Sequence, residues 1–97
     1  MTIEWRNKAY QDALDIIDFI DIDNPVAAFA IYDEINNQIN MLSENPYMGR
    51  PGRVSGTREL IINRTPYIVA YFVSGNTIII LRVLHGAQRW PKKLASC

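Results

Sequence analysis

Seven arginines, three lysines and one histidine hold most of the chemistry that this 97-residue sequence can offer. His85 lies between Arg82 and Arg89, and an imidazole beside such cations can act as a general acid or base near neutral pH. The plainer alternative is a strand-end histidine bonded to the backbone. Alternation along a strand puts Arg58 and Arg64 on one face with Leu60 and Ile62, and Arg82 on one face with Ile78, Ile80 and Leu84. An arginine inside an apolar strand is costly unless it is paired or lies at a binding surface. Two such strands predict a basic sheet face or cleft, with Arg50 and Arg53 closing over it from a glycine-rich loop. The pairing alternative for Arg82 is Glu59, the one acid in residues 48–97. Trp90 either caps the core or stacks on a partner.

Other chemistries find little support. The single cysteine, Cys97, excludes an internal disulfide framework and a cysteine zinc site. Ser43, Ser55, Ser74 and Ser96 sit in no nucleophile-elbow motif. Asp12, Asp15, Asp18, Asp21 and Asp23 follow helical spacing with no histidine or cysteine near them, so they read as a solvated helix face. No metal or cofactor is expected.

The net charge of zero conceals a division. Residues 1–47 contain nine acids and two bases, a net −7; residues 48–97 contain eight bases and one acid, a net +7. This asymmetry predicts a face that meets an anion, either nucleic acid or an acidic protein segment. Alternatively the halves attract one another across the fold. The composition, 48% apolar and 21% charged, is that of a globular chain of one domain, residues 1–97. No apolar run approaches a membrane span of about 20 residues. The start Met1-Thr2-Ile3-Glu4-Trp5 lacks the order of a signal peptide, and a lone cysteine makes the reducing cytoplasm the expected compartment.

These residues need elements to position them. Residues 1–6 alternate and predict a short strand. Tyr10, Ala13, Leu14, Ile17 and Ile20 then fall at helical spacing, predicting a helix that ends near Ile22. Asn24-Pro25 supplies an N-cap and a first-turn proline for a second helix. Its apolar stripe is Ala28, Ile31, Tyr32, Ile35, Ile39 and Leu42, and Asn45-Pro46 stops it. Residues 43–57 read as a loop long enough to have a function. Strands are predicted at 58–64, 67–73 and 77–85, with turns at Thr65-Pro66 and Ser74-Gly75-Asn76. The expected fold is α+β, in the order β-α-α-β-β-β. A helical hairpin packs on one face of a small, mainly antiparallel four-stranded sheet.

Four stretches carry a family resemblance: Asn45-Pro46-Tyr47-Met48-Gly49-Arg50-Pro51-Gly52, Gly56-Thr57-Arg58-Glu59-Leu60, Pro66-Tyr67-Ile68-Val69-Ala70-Tyr71, and Ile80-Leu81-Arg82-Val83-Leu84-His85-Gly86-Ala87-Gln88-Arg89-Trp90. With the element order, they resemble the RelE/ParE superfamily of toxins from bacterial type II toxin–antitoxin modules. The resemblance implies one of two activities. ParE-like members poison DNA gyrase; RelE-like members cut messenger RNA on the ribosome without a metal. Tyr67 stands where the nuclease branch typically carries a basic residue, so the resemblance favours a ParE-like toxin. A nuclease would draw on Arg58, Arg64 and Arg82 for charge and on His85 for a proton. A gyrase poison would present Arg50, Arg53, Arg82, His85, Arg89, Trp90, Lys92 and Lys93. Either toxin implies a hetero-oligomer with a cognate antitoxin. An acidic antitoxin segment is expected on the basic sheet side, with further contact on the apolar edges of the helix pair. A non-toxic binding module of the same fold is the third reading.

Overall fold

The computed structural model describes residues 1–91 and Leu94. Strand β1 (Thr2–Trp5) leads into helix α1 (Asn7–Asp23), which turns at once into α2 (Pro25–Asn40) and a 3-10 turn (Met41–Ser43). Strands β2 (Arg50–Pro51), β3 (Arg58–Ile61), β4 (Tyr67–Ser74) and β5 (Thr77–His85) follow. Asn24 caps α2 by accepting the Ala27 N–H on its side-chain oxygen at 3.1 Å, with Pro25 in the first turn. The sheet order is β1-β5-β4-β3-β2, with β1 parallel to β5 and every other pair antiparallel.

The expected α+β architecture is present, with five strands where four were expected. The additional strand is β2, two residues of the glycine loop that pair with β3 as Arg50↔Glu59 and Pro51↔Arg58. Strand β3 is also shorter than the predicted 58–64. Thr65 ends it by folding back, its N–H and hydroxyl both donating to the Ile62 carbonyl. Arg64 thus lies in a turn at φ 67°, in left-handed backbone that a residue with a Cβ adopts at a cost.

The two helices cover one face of the sheet. Ala9, Ile35, Ile39, Leu42, Tyr71, Ile78 and Ile80 meet there in the main core, and each is buried. Burying an Ile or Leu side chain stabilises by roughly 1.5–3 kcal/mol, so this layer supplies most of the fold's driving force. The opposite face is not bare. Ala70, Ile79 and Leu81 are buried there beneath Phe72, Trp90 and Leu94.

Strand β5 departs from simple alternation. Ala70 faces Arg82 while the next residue, Tyr71, faces Ile80, leaving Leu81 as an extra, unpaired residue. This bulge inverts the pattern beyond it. Arg82 lies opposite Ala70, on the face away from the helices, and not with Ile78 and Ile80 as strict alternation predicts.

Candidate functional site

The glycine loop is held from below by Tyr71 and Arg58. The buried Tyr71 hydroxyl donates to the Pro46 carbonyl at 2.8 Å and accepts the Gly49 N–H at 3.0 Å. Burial pushes the Tyr71 phenol above its ordinary pKa, so it remains a donor at any ordinary pH. A Cβ at Gly49 would sit 2.6 Å from that hydroxyl. Glycine is required there for close approach. Arg58 donates to the Gly49 carbonyl at 2.8 Å and stacks on Tyr47 at 4.9 Å. It therefore holds the loop and shares no face with Arg64.

Glu59 organises what lies above. Its side chain is 3% exposed, and both carboxylate oxygens are occupied. Arg50 donates to Oε1 from Nη2 at 3.0 Å and from Nε at 3.3 Å. Arg53 donates to Oε2 from its backbone N–H at 2.8 Å and from Nε at 3.1 Å. Burial alone would raise the Glu59 carboxyl, but the Arg53 backbone N–H and the two guanidiniums outweigh it and hold the pKa below the usual carboxylate range. The Arg53 guanidinium lies 3.7 Å from the centre of the Trp90 ring, and the Trp90 indole N–H donates to the His85 carbonyl at 3.2 Å. A chain of contacts thus runs Arg50–Glu59–Arg53–Trp90–His85 from the loop to the tail. Trp90 both covers the second core layer and stacks on an internal arginine.

His85 is itself built into the turn that ends β5. Its Nδ1 accepts the Ala87 N–H at 3.0 Å, and its ring meets Tyr67 edge-on at 5.7 Å. Its backbone N–H donates to the Gln88 side chain. The proton of a neutral His85 ring is thereby placed on Nε2.

Arg82 pairs with Asp12, not Glu59. Its Nε and Nη2 reach the two Asp12 oxygens at 2.7 and 3.0 Å, and the Val83 N–H adds a third donor at 3.0 Å. The pairing arises because β1 meets β5 only as far as Trp5↔Ile80, leaving the next stretch of β5 edge open to α1. The Asp12 bonds raise the Arg82 pKa further, so its charge is permanent. Arg64 pairs elsewhere again, with Glu34 of α2 at 3.0 Å.

The structure therefore brings Arg50, Arg53, Trp90 and the His85 backbone into one cluster and leaves Arg58, Arg64 and Arg82 in three separate places. Arg89 is exposed beside Trp90 in the chain; Lys92 and Lys93 lie outside the described residues. Two of the residues holding these arginines were not foreseen in their roles. Glu59 had a signal, as the sole acid in a basic half. Asp12 had none, because it reads as one more aspartate of a solvated helix face. Among the described residues, no group of histidine, cysteine and carboxylate side chains could hold a metal ion. No helix there is long and apolar enough to cross a membrane.

Comparison with known proteins agrees with this architecture. The profile described as "ParE toxin of type II toxin-antitoxin system, parDE" matches residues 3–90. The chain is 38% identical over 92 residues to the candidate toxin Y4kP of Sinorhizobium fredii, covering 95% of each chain. It is 29% identical over 86 residues to toxin RelE2 of Caulobacter vibrioides, covering 89% of this chain and 96% of the other. Among solved structures, it resembles a chain of the chromosomal ParDE system of P. aeruginosa at a TM-score of 0.80 and 32% identity, covering 88% of this chain and 95% of that one. It also resembles a chain of the RelBE2 toxin–antitoxin complex of Mycobacterium tuberculosis at a TM-score of 0.59 and 25% identity, covering 87% and 95%. The order of elements and a match spanning nearly the whole chain meet in one conclusion: this chain belongs to the ParE toxin family of type II toxin–antitoxin systems.

Proposed function

We propose that this chain inhibits growth by poisoning DNA gyrase in the cytoplasm, and that a cognate protein antitoxin neutralises it. The observation that carries the choice of target is the dispersal of the nuclease set. Cutting RNA requires an acid–base group and cations converging on one phosphate. Here Arg58 is held by loop carbonyls, Arg64 by Glu34 and Arg82 by Asp12. His85 stands against Tyr67 of β4, whereas the Arg82 guanidinium turns to Asp12 of α1. Poisoning by binding needs no such convergence. It needs a firm, cationic, aromatic surface, and the Arg50–Glu59–Arg53–Trp90 chain with Arg89 beside it supplies one. Solved toxin–antitoxin systems of this fold support the antitoxin partner.

RelE-like cleavage of messenger RNA is the second reading. It is favoured by the similarity to toxin RelE2 and by a His85 Nε2 that makes no hydrogen bond among the described residues. One pair of assays separates the two. With purified protein, gyrase should accumulate cleaved DNA while a cell-free extract continues to translate. Ribosome-bound message that is cut while gyrase works normally overturns the proposal. A chain with neither effect that still binds its antitoxin is a binding module.

A further inference from the structure

Two guanidiniums are anchored to one carboxylate on the face of the sheet away from the helices. Glu59 stands opposite Ala70 of β4, in the layer that Trp90 covers. Arg50 uses two of its five N–H donors on Glu59, and the Arg53 side chain uses one. The rest, three on Arg50 and four on Arg53, meet no acceptor among the described residues. Both side chains are open to water, at 51% and 44% exposure. They are nevertheless held in place. The shared carboxylate keeps them side by side, and Arg53 is stacked on Trp90 as well. Arginines fixed in this way lose little further freedom when a ligand arrives.

The surrounding charges leave the pair cationic. Two guanidiniums against one carboxylate give a net +1. Arg58 is turned to the Gly49 carbonyl, and Arg89 is exposed next to Trp90 in the chain. Among the acids, Asp12 and Glu34 are paired with Arg82 and Arg64, and Glu44 forms no ion pair among the described residues. Glu4 lies on β1, the sheet edge farthest from β2, about 19 Å away across four strand spacings of about 4.8 Å. The aspartates of the hairpin lie on the helices, which cover the other face. Sheet and helix layers together separate these charges from the pair by more than the roughly 8 Å over which salt screens them.

We infer that Arg50 and Arg53 form a clamp for a phosphodiester of DNA. The inference rests on the gyrase reading above and names the component of the poisoned complex that the loop touches. A bound molecule shifts an equilibrium only by binding one state better than another. A poison that makes gyrase accumulate cleaved DNA must bind the cleaved complex best, and that complex holds DNA within reach of a protein docked on the enzyme. Phosphate suits the free donors. Its two unesterified oxygens can accept from different guanidiniums, and arginine binds phosphate through forked, charge-assisted bonds. An acidic protein segment is the competing anion. Its carboxylates hang on side chains that lose rotamer freedom on binding, whereas the phosphates of a duplex are already fixed in place.

The test begins without gyrase. The whole chain, isotope-labelled, is titrated at low salt with a DNA duplex of about 16 base pairs and followed by NMR. Binding should be weak, with shifts centred on Arg50, Arg53 and the Trp90 indole. Its affinity should fall with salt at a logarithmic slope of about −2, or roughly 0.9 for each phosphate held. Arg50→Gln and Arg53→Gln are made singly, so that Glu59 keeps one guanidinium, and thermal unfolding checks that each is folded. Each should weaken duplex binding about three- to tenfold and reduce the salt slope by about one. Arg64→Ala removes an equally exposed cation at a distance from the loop and should change neither. With gyrase present, each single loop variant should need more toxin for the same yield of cleaved DNA. The proposal is overturned if the duplex does not bind, if the shifts map to the helices, or if Arg64→Ala costs as much as a loop variant. It is also overturned if polyglutamate displaces the duplex as well as unlabelled duplex does, or if an RNA duplex binds about tenfold more tightly than the DNA. If parent and both loop variants poison gyrase alike, the clamp fails and the gyrase reading stands. If gyrase is unaffected while the titration gives the expected slopes, the gyrase reading fails and the clamp stands.

Discussion

On α1, Asp18 and Asp21 stand in water with no cation among the described residues against them; across the sheet, Glu59 is buried beneath two arginines and a backbone N–H. The hairpin surface keeps its charges and its aromatic rings open. The loop-and-tail surface spends its one carboxylate on arranging arginines and covers its apolar layer with Trp90. A free charge at a surface contributes little to folding and much to the rate and orientation of encounter. A buried, saturated charge does the reverse: it fixes geometry, and breaking it costs stability. The contrast teaches that the two faces use charge in different ways. One leaves carboxylates and aromatic rings in water, the other ties its cations to a buried carboxylate. Between them stands Asp12, an aspartate of α1 that behaves like Glu59 and not like its neighbours.

The largest effect expected from breaking this contrast lies at Asp12. The side chains of Arg82 and Asp12 are 15% and 14% exposed, so Asp12→Ala strands a guanidinium that water reaches poorly, and the Val83 N–H with it. Removing one partner of such a pair costs about 3–5 kcal/mol, a large part of the total stability of a domain this small. Asp18→Asn should move stability by less than about 0.5 kcal/mol. Urea unfolding of the two variants measures the difference. Equal losses would erase the distinction between structural and free acids on α1.

The next effect has a sign as well as a size. Replacing both loop arginines (Arg50→Gln and Arg53→Gln) leaves Glu59 buried without a cation, so the loop cannot lose these charges at no cost to folding. A loss of about 2–3 kcal/mol near neutral pH is expected, since both arginines are about half exposed in the parent and glutamine retains some hydrogen bonding. In the parent, the Glu59 pKa is lowered by its partners. Its contribution is therefore complete above the ordinary carboxylate value of 4.5 and is lost as pH falls through the lower folded value. In the double variant burial dominates and the carboxyl rises. Its effect on stability then reverses, and stability falls as pH rises through the ordinary carboxylate range. Stability curves measured at pH values spanning that range should therefore separate steadily as pH increases. Parallel curves would show that Glu59 is not the organiser of the loop.

The sequence showed the scaffold more clearly than the contacts. Helical spacing, Asn24-Pro25 and the Ser74-Gly75-Asn76 turn each report a local backbone preference, and each is found in the expected place. The face of Arg82 was hidden because Ile78, Ile79, Ile80 and Leu81 are all apolar. In such a run a one-residue bulge changes which side each residue faces without leaving a mark on the pattern. Strand β2 was hidden because two residues are too few to show a period. The arginines were legible as a group, but not their partners, which lie 9 residues away for Arg50 and 70 for Arg82. Gly49 reads in the sequence only as one glycine of a loop, whereas its role is to leave room for the Tyr71 hydroxyl. Only the fold discloses a close approach of that kind.

The smallest expected effect tests whether Arg64 belongs to either surface. Its pair with Glu34 lies at the rim of α2, and its own side chain is 82% exposed. Such a pair contributes about 0–1 kcal/mol. Against this, Arg64 holds a left-handed backbone angle that costs a residue with a Cβ about 1 kcal/mol and costs glycine almost nothing. In Arg64→Gly the two changes nearly cancel, leaving stability within about 0.5 kcal/mol of the parent. Arg64→Ala loses the pair and keeps the strain, so it should be the less stable of the two. That order, glycine above alanine, confirms a turn residue. Growth inhibition should be unchanged in both variants. If it disappears in Arg64→Gly while stability holds, Arg64 contacts the target, and the cationic platform extends around the sheet edge to α2.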